Sequence, residues 1–314
     1  MGIFRGMVVM IDILLSSFNG ESFLAEQLDS LLAQTYQDFR VLVRDDGSSD
    51  RTSEILKVYA NQYSNKITLI DGKNKNLGSS KSFFELLRCS DADFVMFCDQ
   101  DDVWNKDKLE MMVDFYEKQV SRRNLPVLIH SAALVVDANL KTMCAETERF
   151  NRDKGGMEKP FVWQIFQNDV TGCTVLINAA MRDVVNKIDF SKHVVIQHDW
   201  FLSQIAYLYN NKFHMPVQTM KYRQHSGNVI SARKISFREK VSRKIKRGLC
   251  YPYYSQIETL LTCEIPMKED LKNVLVDFSL LGHKCKIYRI LWHIQHGFFR
   301  SGNVVYKIYQ LLIC

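Results

Sequence analysis

The sequence predicts an α/β fold with a mostly parallel central sheet, helices on both faces, and a C-terminal helical region. Short apolar runs alternate with segments of helical periodicity along the N-terminal third of the chain. Each of those runs breaks off in a polar cluster, as strands of a parallel sheet do at their carboxyl ends. At 314 residues, 46% hydrophobic and 24% charged, the chain has the composition of an ordinary globular protein and is long enough for a substantial core. Global disorder and collagen-like repeats are excluded.

The elements follow in order. "MVVMIDILLSSFN" reads as a buried strand ending in a polar loop. "ESFLAEQLDSLLAQTY" places Phe23, Leu24, Gln27, Leu28, Leu31 and Leu32 on one stripe of a helix. "FRVLVRDDGSSD" is a second strand running into Asp45, Asp46 and Gly47, with Ser49 or Asp50 available to cap the helix "RTSEILKVYANQY". "KITLIDG" is a short third strand, followed by a polar glycine-bearing loop and the helix in "KNKNLGSSKSFFELLRCS". The fourth strand, "DFVMFCDQDD", ends in Asp99, Asp101 and Asp102. Further on, "PVLIHSAALVVDANL" suits two short strands or a bent one, 141–160 a mobile polar loop, and "NDVTGCTVLINAAM" a strand with Gly172 at its start. "VIQHDWFLSQIAYLYN" suits a helix beginning near His198 to Trp200, and "KYRQHSGNVISARK" a polar, basic turn. From residue 236 the chain reads mainly as amphipathic helices.

Three loops, Ser16 to Asn19, Asp45 to Asp50 and Asp99 to Asp102, therefore fall at the edge where such sheets bind ligands. In extended backbone Asp99 and Asp101 share a face. Carboxylates so placed raise one another's pKa unless a cation compensates, and an oxygen-rich, histidine-free set suits Mg²⁺ or Mn²⁺ together with a phosphate-bearing substrate. The bland alternative is a solvated acidic turn in which Asp101 or Asp102 caps the next helix. Asp199, in "HDW", supplies a further carboxylate beside Trp200: either a helix N-cap or a general base for a sugar hydroxyl.

Taken together, "ILLSSFNG", "QLDSLLAQTYQDFRVLVRDDGSSDRT", "NLGSSKSF", "CDQDDVWNKDKL", "TGCTVLIN" and "HDW" resemble glycosyltransferase family 2. The resemblance implies a GT-A nucleotide-diphospho-sugar transferase fold, with residues 1–230 as the catalytic domain and 231–314 as a basic amphipathic helical region. It implies that Ser16 and Phe18 line the nucleotide base site, where the family more often has tyrosine than Phe18, and that Asp46 contacts the base with Asp45 nearby. Asp101 would be the main metal ligand of the D-x-D motif and Asp99 would contact the ribose or the metal shell. Asp102, Gly172 and Trp200 would shape the acceptor side, Asp199 would be the catalytic base, and Arg223 in "YRQHSGN" would face the diphosphate. The implied reaction is a single inverting displacement. "SSFNG", "CDQDDVW", "TGCT" and "YRQHSGN" look most like bacterial rhamnosyltransferases of cell-wall or capsular polysaccharide synthesis, with dTDP-L-rhamnose as donor. Other hexosyl or N-acetylhexosaminyl donors stay open.

Charge is uneven. Residues 231–314 hold 15 Lys and Arg against 6 Asp and Glu, and eight of those cations lie in "ARKISFREKVSRKIKRG". Residues 233–247 are thus expected to meet an anionic membrane surface, where a lipid-linked saccharide acceptor would be presented, with Trp292, Phe298 and Phe299 either in the interface or packing the tail. A homo-oligomer through the C-terminal helices is the other use of that region. A nucleic-acid-binding protein would explain the basic run but not the acidic ligand edge. An inactive sugar-nucleotide-binding module would leave the base and metal residues without purpose. The eight cysteines are scattered and form no C-x-x-C pair, which fits buried thiols in a reducing compartment. No apolar stretch reaches the roughly 18 residues of a membrane span, so the expected location is cytoplasmic, with attachment to the cytoplasmic face of the cell membrane left open.

Overall fold

The computed structural model describes residues 9–71, 76–144, 161–225 and 251–299. The basic run 233–247 and residues 145–160 of the expected loop lie outside the described residues. The chain begins as β1 (Ile11–Ser17), α1 (Leu24–Leu32), β2 (Phe39–Asp45), α2 (Thr52–Gln62), β3 (Ile67–Leu69), α3 (Ser79–Arg88) and β4 (Phe94–Asp99). It continues through β5 (Val103–Trp104), α4 (Lys108–Gln119), β6 (Leu128–Val136), β7 (Thr142–Cys144) and α5 (Phe161–Phe166). A 3-10 turn (Gly172–Thr174) leads into β8 (Val175–Asn178), α6 (Ala179–Asn186), α7 (His198–Leu208) and β9 (Lys212–Arg223). The C-terminal part is α8 (Tyr251–Leu261), α9 (Glu269–Leu280) and α10 (Lys286–His296).

The expectation of a mostly parallel sheet is wrong. The sheet runs β3-β2-β1-β4-β8-β6-β9-β5 with β7 added on β6. β1, β2, β3 and β4 pair in parallel, and so do β6 and β9. β8 is antiparallel to both β4 and β6, β7 to β6, and β5 to β9. Helical crossovers enforce parallel pairing among the first four strands, whereas β8 enters the gap between β4 and β6 from the opposite end. An apolar run buried on both faces looks the same in either direction, so composition carried no sign of this reversal.

Alternation along the strands divides the core. Ile11, Ile13 and Leu15 of β1 join Phe94, Met96 and Cys98 of β4 in one cluster with Leu24, Leu28, Leu31 and Met112 of α1 and α4. Leu14, Val95 and Phe97 face the other way, onto α3, α7 and the C-terminal helices. The charge inside β1, Asp12, is buried and is met by its cross-strand neighbour Arg40, whose Nε donates to Oδ1 at 2.6 Å. The C-terminal helices belong to the second cluster: Phe166 packs at 5.5 Å from Tyr253 and 5.8 Å from Phe278, and Phe278 at 5.8 Å from Trp292. Trp292 and Phe298 are buried there, which places these two aromatics in the packed interior.

Candidate active site

Parallel register fixes the site. Ser16 lies opposite Arg44 and Asp99, and Ser17 opposite Asp45, so the ends of β1, β2 and β4 arrive level at one edge. Three loops leave from there and are stitched together by side chains. Gln100 accepts from Ser17 Oγ at 2.7 Å and from the Phe18 amide at 2.6 Å, and its own amide donates to the Phe18 carbonyl at 2.9 Å. Gly20 leaves room for that side chain, since a Cβ there would lie 2.5 Å from Gln100 Oε1 and displace it. Asn19 and Ser48 bridge the first two loops, the Asn19 amide donating to Ser48 Oγ and the Ser49 amide to Asn19 Oδ1. Phe18 stands 49% exposed above this platform.

Asp46 is buried and spends its carboxylate on the protein. It accepts from Arg44 Nη1 at 2.6 Å and from the amides of Leu77 and Gly78 at 2.9 and 2.8 Å, tying β2 to the entry of α3. Arg44 also reaches Ser82 Oγ, which accepts in turn from Ser16 Oγ at 2.7 Å. Asp45 accepts from the Ser48 amide and hydroxyl, closing the turn after β2. Ser16, Phe18, Asp45 and Asp46 thus lie together at the ends of β1 and β2, with Asp46 part of the frame.

The chain turns immediately after Asp99, so the two-residue alternation stops there and the three aspartates separate. Among the described residues one group of side chains could hold a metal ion: Asp99, Asp102 and Cys173, their ligand atoms all within 4.8 Å of one another. Asp101 points elsewhere, its Oδ2 lying 2.8 Å from His225 Nε2. Asp102 is fully buried; Oδ1 accepts from the Arg223 amide at 3.0 Å, while Oδ2 has no hydrogen-bond partner. Desolvation, then Asp101 and Asp199, pushes the Asp99 carboxyl up to about 7. Desolvation with Asp101 and Asp99 drives Asp102 upward too, and burial raises the Cys173 thiol.

Behind this cluster lies a lysine the sequence reading passed over. Lys108 is fully buried, donates to the Cys173 carbonyl at 2.6 Å, and sits 3.5 Å from the centre of the Trp104 ring. Burial lowers its pKa to about 8, against the pull of the nearby carboxylates and thiols. One signal was available: Lys108 falls on the buried stripe of α4 that continues through Leu109, Met112, Val113 and Tyr116. A charged residue on such a stripe implies a buried partner.

Asp199 is buried in the first turn of α7, where its Oδ1 accepts from the Trp200 amide at 2.8 Å. It stands close enough to Asp99 to raise that carboxyl. Trp200 is anchored by its indole N–H to the Gln164 carbonyl at 2.6 Å. Next to it the His198 ring packs against both Phe83 and Phe97, with centroid separations of 4.3 and 5.0 Å, and burial lowers its pKa. Gly172 makes room for that ring: a Cβ would come within 2.7 Å of His198 Nε2. Arg223, expected beside a diphosphate, is buried and donates to the carbonyls of Asp101 and Ala138 and to Glu26, with Phe23 under its guanidinium at 4.5 Å.

Comparison with known proteins follows the same edge. Residues 12–123 match the family described as Glycosyl transferase family 2. A dTDP-rhamnosyl transferase, RfbG of Shigella flexneri, is 28% identical over 238 residues, covering 73% of this chain and 77% of that protein. Residues 1–349 of TarS from S. aureus, solved in complex with UDP-GlcNAc, superpose with a TM-score of 0.59 at 18% identity, over 87% of this chain and 72% of that one. The mannosyltransferase PcManGT of Pyrobaculum calidifontis, in complex with GDP-Man and Mn²⁺, gives 0.55 at 12% identity, over 91% and 72%. The likeness to the solved structures establishes a glycosyltransferase fold.

Proposed function

We propose that the chain, a glycosyltransferase family 2-like enzyme, transfers a sugar with inversion from a nucleoside diphosphate donor to a hydroxyl of a lipid-linked cell-wall or capsular saccharide, and that the donor is dTDP-L-rhamnose. The observation that carries the reading is the cluster of Asp99, Asp102 and Cys173 at the carboxyl edge of β4, with Asp199 close to Asp99 and Lys108 buried against the Cys173 carbonyl. The rhamnose assignment is supported by the sequence pieces that resemble rhamnosyltransferases and by the name of the Shigella relative.

The residues fit a divalent cation. Asp102 Oδ2 lacks a partner and Asp99 is pushed toward its neutral form, so the donor set is short of positive charge. Asp99 and Asp102, with Cys173 beside them, would hold Mg²⁺ or Mn²⁺, and Asp101 would join them only on leaving His225. When bound, the ion supplies neutralising charge for the departing diphosphate. Ser16 and Phe18 receive the base by contact and stacking, with Asp45 and Asp46 fixing the loop beneath. Arg223 serves the donor from behind, by holding the Asp101 carbonyl. Gly172, Asp102 and Trp200 bound the acceptor side.

Asp199 takes the proton of the acceptor hydroxyl. The Trp200 amide occupies one of its oxygens, so the other receives the proton. The acceptor oxygen bonds to the anomeric carbon as the bond to the diphosphate oxygen breaks, and a single displacement inverts that centre. Acceptor-dependent release of nucleoside diphosphate across a donor panel tests the reading. With dTDP-L-rhamnose, Asp199→Asn is expected to lose about 10²- to 10⁴-fold in rate while still binding donor. Near-normal transfer by that variant refutes the role of Asp199; release from a different donor replaces the sugar and leaves the class intact.

A further inference from the structure

The outer face of α10 is apolar and exposed. Ile287 is 71% exposed, Leu291 59% and Ile294 55%, a spacing of four and three that puts them on one face, with Tyr288 beside them at 50%. The opposite face carries the buried Trp292 and His293, which anchor the helix to the core. Lys284 and Lys286 are exposed at the start of the helix, and no acidic residue occurs in α10. The outward side chains of α10 therefore present an apolar row with two exposed lysines at its N-terminal end.

We propose that this face of α10 docks on an anionic lipid bilayer, its apolar row lying in the interface and Lys284 and Lys286 among the headgroups. Amphipathic helices with lysine beside an apolar row bind such surfaces in plane, through buried apolar area and attraction to anionic lipid. α10 is not long and apolar enough to cross a membrane, nor is any other helix among the described residues. A second copy of the chain fits this face poorly. Stable dimers bury about 800 Å² per partner, more than one short helix face offers, and a self-complementary contact would set the same cations against each other with no carboxylate of α10 to pair them.

The placement deepens the reading of a lipid-linked acceptor and rests on it for its purpose. α10 connects inward to the acceptor side through aromatic contacts: His293 to Phe166 at 6.3 Å, Phe166 to Tyr253 at 5.5 Å, and Tyr253 to Trp200 at 5.7 Å. A docked helix would thus hold the bilayer at a fixed offset from Trp200.

Sedimentation of the full chain with vesicles tests this without any transfer reaction. Binding is expected with phosphatidylglycerol in phosphatidylcholine vesicles and not with phosphatidylcholine alone. Ile287→Glu/Leu291→Glu, both at exposed positions, should weaken the partition about tenfold or more while leaving donor binding and the urea midpoint unchanged. Equal partition of variant and parent assigns membrane binding elsewhere and overturns the proposal. So does absence of binding to anionic vesicles, or a parent dimer that the variant dissolves without any vesicle binding. If vesicles bind through α10 but no lipid-linked acceptor is glycosylated, the acceptor reading fails and the docking surface stands.

Discussion

Replacing Gly172 by alanine isolates the contact that seats the proposed base. The added Cβ would lie 2.7 Å from His198 Nε2, 3.0 Å from Cε1 and 3.7 Å from the Asp199 Cβ. Carbon and nitrogen settle near 3.4 Å or beyond, so the ring or the turn must give way by about 0.7 Å. The ring has little room, being buried against Phe83 and Phe97, and the turn is tied to Lys108 through the Cys173 carbonyl. Overpacking of this kind costs about 1–3 kcal/mol. His198 precedes Asp199 directly, so the base moves with the ring, and a shift near 1 Å lowers a rate by about 10²-fold. Gly172→Ala should therefore lower the urea midpoint and reduce kcat about 10- to 100-fold with donor Kd unchanged. His198→Ala removes the clashing atoms, so the double variant should be more stable than the sum of the two single effects, by about 0.5–3 kcal/mol. Wild-type stability and rate in Gly172→Ala, or strict additivity in the double variant, refutes the account.

Acid should destabilise the fold through two histidines. His130 and His293 are buried, and desolvation lowers them to about 3 and about 4 from 6.5. The unfolded chain takes up their protons below 6.5 while the folded chain does not, so stability is present above that pH and falls as pH drops toward the folded values. At pH 5 each costs about 2 kcal/mol, and denaturation midpoints at pH 7.5 and 5.0 compare the two; equal midpoints contradict the burial of neutral imidazole. Lys108→Met retains the volume but leaves the Cys173 carbonyl without its donor and removes the cation from the Trp104 ring, at a cost of about 1–3 kcal/mol read from urea unfolding; an unchanged midpoint would show that the ammonium contributes nothing to the fold.

How much of this was legible can be read from individual residues. β1, β2 and β4 announced themselves because each is a dense apolar run ending in polar residues, and register then had to bring Ser16, Asp45 and Asp99 level. The helix at Asp199 was equally visible. The direction of β8 was not, because a doubly buried strand has no polar face to orient it. β9 escaped notice because its alternation is interrupted by Pro216 and by register shifts against β6. The pairing of Asp101 with His225 depends on a turn whose geometry the run of aspartates does not encode. Arg223 illustrates the same limit: a conspicuous cation near an anionic site, yet its fork is filled by carbonyls from Asp101 and Ala138.

The sheet's change of direction has an evolutionary consequence. On one side of the β4–β8 boundary lie the strands and loops proposed to hold the nucleotide; on the other, the elements proposed to face the acceptor. The boundary is short, with Phe94, Val95 and Met96 opposite Asn178, Ile177 and Leu176. An exchange of the neighbouring half keeps its seat if these three pairs are kept together with the Lys108 bond to the Cys173 carbonyl and the Arg223 bond to the Asp101 carbonyl. Grafting residues beyond α4 from a relative should thus redirect the sugar to a new hydroxyl while the donor is kept, and a lineage could diversify its polysaccharides by recombining genes at that point.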